Sequence, residues 1–142
     1  MALGAELAIS EANESGNFAL GAATSVRADS TCIDSAAATA AAERLVTAEK
    51  VNAIMGADCS GVTTAILENV AVPNGVVMIS PSATSPALST VADNDLFFRT
   101  APSDARQGAV VAEILQDKGY KTAAMTYTNN DYGKGRRKSV KE

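Results

Sequence analysis

Two short polar loops carry the residue types from which a small-molecule site can be built. Gly56-Ala57-Asp58-Cys59-Ser60-Gly61 follows an apolar run, and Ser60 stands where the next helix should begin. A serine beside the free N–H groups of a helix start can hold a carboxylate or phosphate, or it can simply cap its own helix. Ser80-Pro81-Ser82-Ala83-Thr84-Ser85-Pro86 offers hydroxyls and carbonyls, acceptors that suit an ammonium group or a hydroxylated ligand. The same composition also makes a proline-stiffened turn with no ligand at all. A third polar turn spans 129–133 and contains Tyr132.

Other chemistries are closed off. The chain has no histidine, which removes Ser-His-Asp and Cys-His triads, histidine metal sites and histidine proton shuttles together. No two acids are placed convincingly as a catalytic pair, so an enzyme is the weakest of the functional classes. Gly133-Lys134-Gly135 lacks the spacing and the Ser/Thr of a P-loop, and no Gly-x-Gly-x-x-Gly follows a strand. No cofactor is implied. Cys32 and Cys59 are the only cysteines, each in a loop after a strand-like run. Joined, they would close roughly 27 residues, worth about 3–4 kcal/mol in the chain-entropy picture, and would indicate an oxidising compartment. Two unrelated small buried residues fit the spacing equally well.

Stepping from the loops to what must hold them, apolar strands alternate with amphipathic helices. The spacing predicts helices over 2–15, 35–49, 61–72 and 103–118, and strands near 20–27, 51–55, 76–79, 96–98 and 122–128. Val76-Val77-Met78-Ile79 is the unbroken apolar run of a strand buried on both faces. Repeated βα units of this length give an α/β fold, an open and mostly parallel sheet flanked by helices. In such sheets ligands bind outside the carboxyl ends of the strands, where the three polar loops lie.

With 142 residues there is room for one ordinary domain. The net charge of −4 divides unevenly: residues 134–142 carry +4, and the preceding body holds seven bases against fifteen acids. An acidic body with 4% aromatics does not suit nucleic acid. The basic end reads either as a nucleic-acid or membrane patch or as a solvated chain end. The first residues lack the basic start of an export signal, and no apolar stretch reaches membrane length.

In order and spacing, these segments resemble the type I periplasmic substrate-binding proteins that serve branched-chain amino acid ABC transporters. The resemblance is carried by helix 2–15, Asp29 to Cys32, Ala36 to Leu45, Ile54-Met55-Gly56, Cys59-Ser60, Met78 to Thr84, Phe98 to Ala101 and Asp131-Tyr132-Gly133-Lys134-Gly135. It implies a periplasmic, non-catalytic protein whose two lobes close on an amino acid and whose loaded form docks on a membrane permease. Carried over by motif, Ser60 and the N–H groups from Gly61 onward would hold the ligand carboxylate. Ser82, Ala83 and Thr84 would meet its ammonium, and Tyr132 would cover it. A Cys32–Cys59 disulfide is implied in the same way. A sensing module for amino acids or amides, on the same scaffold, is the alternative function.

The departures from that family yield further expectations. The strand that the family places ahead of the first helix is absent, as is most of its second lobe. Residues 1–101 would form a ligand-binding lobe lacking its first strand, and 102–142 a fragment of the second, in a chain truncated at both ends. The acid that the family brings to the ammonium from its second lobe has no counterpart here. After Gly135 the basic run no longer looks like the family's amphipathic helix. The chain is therefore expected to bind its ligand weakly or not at all. Strand 122–128 would fill the vacant strand position, in the same chain or by self-association.

Overall fold

The computed structural model describes residues 1–19 and 21–141. Three short parallel strands, β1 (Ala53–Met55), β2 (Val77–Ser80) and β3 (Phe97–Arg99), form a sheet in that order. Ile54 pairs with Met78 and Met78 with Phe97, and this cross-strand row is buried. The next row, Met55–Ile79–Phe98, faces outward.

Helices cover the buried row. α2 (Ser35–Thr47) starts at Asp34, whose carboxylate accepts from the Ala37 N–H at 2.9 Å, and continues as an alanine run. Ala38 and Ala42, one helical turn apart, are buried, and their small side chains let α2 approach the next helical segment closely. That segment is continuous from Ser60 to Asn74: α3 (Ser60–Ile66), a π-helical turn (Leu67–Ala71) and α4 (Val72–Asn74). The widened ladder precedes Pro73, which has no N–H to give. Gly75 then closes the segment in the left-handed conformation, φ 65°. Leu67, Val70, Val62 and Met78 are the centre of the core.

α1 (Ala2–Glu14) buries nothing, and Leu3 and Leu7 face outward. Beyond β3 come α5 (Asp104–Asp117), capped by the Ser103 hydroxyl, and α6 (Asp131–Lys141), which packs on α5. Their contact is close: a Cβ on Gly108 would lie 2.3 Å from the Ser139 carbonyl oxygen.

Three expectations from the sequence need correction. The strand near 20–27 is not formed over its described residues 21–27. They run beside α1, with Asn13 hydrogen bonded to both the N–H and the carbonyl of Ala23 and Arg27 paired with Glu6. Nor is 122–128 a strand, and it fills no vacancy in the sheet of its own chain. Tyr127 instead receives a hydrogen bond from Arg137 on α6, whose guanidinium also lies 4.8 Å from its ring centre. In both cases a strand-like composition has no strand beside it among the described residues, and a strand exists only in a pair. The third correction is the basic end, which forms the amphipathic helix α6. Arg136 faces Tyr132 and Asp104, and Arg137 faces Tyr127, so these charges do not cut the helix short.

Candidate functional site

The loops after β1 and β2 lie side by side at the carboxyl ends of adjacent parallel strands, joined by buried hydrogen bonds. The Ala57 carbonyl accepts from the Ser80 hydroxyl at 2.6 Å and from the Thr63 hydroxyl at 3.1 Å. The Ser80 oxygen in turn accepts from the Ala83 N–H at 3.0 Å, turning the second loop back over its strand. Gly56 sits at φ 146°, a conformation open to glycine, where the first loop leaves β1.

Ser60 does not cap its own helix. Its buried hydroxyl accepts from the Ser85 N–H at 3.2 Å, fastening one loop to the other. Cys59 takes the N-cap position without a side-chain bond, and the Thr63 N–H is the first to bond back, to the Cys59 carbonyl. The N–H groups of Ser60, Gly61 and Val62 thus open the helical segment with no carbonyl one turn behind them. Cys59 is disulfide-bonded to Cys32, with Cα atoms 5.3 Å apart, so the pairing implied by the family resemblance is formed. The bond ties the segment ahead of α2 to the start of α3.

On the second loop Ser82 is exposed at the rim, Ala83 is buried and Thr84 lies between. The Thr84 hydroxyl donates to Asp104 Oδ2 at 2.9 Å, and the Asp104 N–H donates to the Thr84 carbonyl at 2.9 Å. Asp104 is 3% exposed. A carboxylate can only accept, so the Thr84 proton points at Asp104 and its lone pairs are left for another donor. The sequence reading allotted no acid to this point; Asp104 is one. Ser103-Asp104 reads as an ordinary helix start, and nothing local reveals that the acid turns inward.

Arg99 braces the loop from β3. Its guanidinium donates to the Ser85 carbonyl at 2.8 Å, the Ala83 carbonyl at 3.4 Å and the Ser89 hydroxyl. Burial lowers the Arg99 pKa, and the charge of Asp104 offsets part of that.

Tyr132 lies in the first turn of α6, and its neighbour Asp131 approaches the first loop: a Cβ on Gly61 would come 3.3 Å from Asp131 Oδ2. Tyr132 is half-exposed, and its hydroxyl accepts from Arg136 at 2.6 Å. The structure therefore gathers Ser60, Gly61, Ala83 and Thr84 on two interlocked loops and sets the start of α6 against them. Among the described residues no group of three or more His, Cys, Asp or Glu is placed to hold a metal. No described helix is long and apolar enough to cross a membrane.

Comparison with known proteins agrees with this architecture. Residues 1–142 match the family described as the receptor family ligand binding region, so the match runs through the basic helix. The chain is 31% identical over 140 residues to the Leu/Ile/Val-binding protein of Citrobacter freundii, covering 98% of this chain and 37% of that one. It is 40% identical over 87 residues to the chemotactic signal transduction system substrate-binding protein BasB of Halobacterium salinarum, covering 57% of this chain and 21% of that one. Among solved structures, the branched-chain amino acid transporter substrate-binding protein LivJ of Streptococcus pneumoniae, in complex with isoleucine, superposes with a TM-score of 0.81. That match has 33% identity and covers 97% of this chain and 39% of that one. The chain thus spans between about a fifth and two-fifths of the length of these relatives. It belongs to the receptor-family ligand-binding regions and, within them, to the type I periplasmic binding proteins of branched-chain amino acid transporters.

Proposed function

We propose that this chain carries the primary binding surface for an aliphatic α-amino acid and serves, without catalysis, as part of the solute-binding component of a periplasmic ABC importer. One observation carries the reading: two opposite kinds of charge recognition stand on interlocked loops. The open N–H groups from Ser60 and Gly61 face the site on one loop. On the other, the lone pairs of Thr84 are backed by the buried acid Asp104. Helix-start N–H groups favour a carboxylate, and hydroxyl oxygens beside an acid favour an ammonium. An α-amino acid has both groups two bonds apart. Ser82 and Ala83 complete the ammonium side, and Tyr132 covers the ligand from α6. Residues 1–101 form the ligand-binding lobe and 102–142 the first part of the second, with the crossing near Pro102. A membrane permease is the partner of the loaded full-length protein.

The test is titration of the 15N-labelled chain with leucine, isoleucine and valine. The amides of Gly61, Ser82, Ala83 and Thr84 should shift and saturate at millimolar ligand, because contacts from the remaining length of the relatives are not available. Amides at these positions that stay still throughout would overturn the reading.

A further inference from the structure

We propose that helix α6 is an internal competitor for the amino acid. It presents a carboxylate, Asp131, and a guanidinium, Arg136, to the same two points that the ligand's own carboxylate and ammonium use. The proposal rests on the site reading above and adds to it a cost that the ligand must overcome.

Asp131 Oδ2 lies 3.3 Å from where a Cβ on Gly61 would stand, so a negative charge already stands beside the start of α3. At the other point, Arg136 Nε lies 3.9 Å from Asp104 Oδ1. Gln107 bridges the same pair. With its amide oriented to satisfy both neighbours, it donates to Asp104 Oδ1 at 3.1 Å and accepts from Arg136 Nη2 at 2.9 Å. Arg136 forms the ion pair of the buried Asp104 carboxylate, which also acts through its charge on Arg99. The Arg136 guanidinium is held in place by the Tyr132 hydroxyl and lies 5.4 Å from that ring's centre.

The charges are ordered as an amino acid would place them, the anion at Gly61 and the cation at Asp104. The next cation along the helix, Arg137, is turned to Tyr127 and takes no part. α6 also rests directly on the second loop: a Cβ on Gly135 would stand 2.9 Å from Pro86 Cδ. The Arg136 side chain is 40% exposed, so its pair with Asp104 is screened and can be exchanged for a ligand's. When the competent state is only partly populated, apparent affinity falls by that fraction, and removing the competitor restores it.

Three ligands separate the two charges: leucine, leucinamide, which lacks the carboxylate, and 4-methylpentanoate, which lacks the ammonium. Arg136→Gln should tighten leucine and leucinamide about fivefold, the scale of one partly exposed ion pair, and leave 4-methylpentanoate unchanged. Asp131→Asn should tighten leucine and 4-methylpentanoate and leave leucinamide unchanged. Arg136→Lys should stay near the parent. Variants that change all three ligands alike, or none, would overturn the proposal while the amino acid reading stands. If neither the parent nor any variant binds any of the three, the site reading fails and the competitor with it. Hydrogen exchange on the parent chain covers variants that do not fold. Saturating leucine should speed exchange of the Arg136 guanidinium hydrogens as that side chain leaves Asp104, with Tyr132 still over the ligand, and slowed exchange there would refute displacement.

Discussion

Opening the Cys32–Cys59 bond should cost this chain much of its stability. The cysteines are 27 residues apart, which in the chain-entropy picture corresponds to about 3.5 kcal/mol of added freedom in the unfolded chain. The loop they close contains α2, β1 and the turn after it, which contribute Ala38, Ala42, Ile54 and Ala57 to the core. All of that segment must therefore be ordered on folding, and the cross-link removes part of the cost. A domain of this size has about 5–15 kcal/mol in total, so the bond supplies a substantial share. With a urea slope of about 2 kcal/mol per molar, the unfolding midpoint should fall by about 2 M on reduction. Far-UV circular dichroism in urea, with and without reductant, measures this, and Cys32→Ser/Cys59→Ser should match the reduced parent. A midpoint shift under about 0.5 M would refute the reasoning, because the tethered segment would then be ordered to little purpose.

Gly108→Ala should disrupt the seat of α6 on α5. Its Cβ would lie 2.3 Å from a backbone oxygen that no side-chain rotation can move, so the helices must separate, at a cost of about 1–3 kcal/mol. Amide exchange across 131–141 should rise while the 53–99 sheet region stays protected. Glu6 gives a pH prediction. Its hydrogen bond to Arg27 holds its pKa below the ordinary value of 4.5; burial opposes this, and the Arg27 charge adds a lesser lowering. A lowered acid pKa stabilises the folded state above the ordinary value, and that stabilisation is lost as pH falls through the lowered one. The tether between α1 and residues 21–27 should hold at neutral pH and loosen in acid. Exchange of α1 amides, corrected for intrinsic rates and compared with Glu6→Gln, measures it. A variant that is no looser at neutral pH would count against the tether.

Local pattern carried much of the fold. Asp34 before an alanine run marks a helix start because the cap and the propensity both act within one turn. Val77-Met78-Ile79 reads as a strand because few other segments join apolar residues without a break, but it is not buried on both faces as expected: Met78 is buried while Ile79 lies on the outward face. Residues 21–27 and 122–128 have the same local character and form no strand, since pairing depends on a neighbour that composition does not describe.

The site divides in the same way. The residue types on the two loops marked a polar small-molecule site, and the absence of histidine excluded histidine-dependent catalysis, from the sequence alone. Only the tertiary structure decided how the polar atoms are used. Ser60 gives its oxygen to Ser85, not to its own helix, because Cys59 stands at the N-cap and Ser60 is already the first helical residue. Asp104 turns inward because Thr84, Gln107 and Arg136 supply the partners that make burial of an acid tolerable. The basic end becomes a helix because tyrosines and an acid stand where its arginines fall. Propensity and period act along the chain and can be read from it. The choice of hydrogen-bond and ion-pair partner is made across space, between segments whose apposition exists only once the chain has folded.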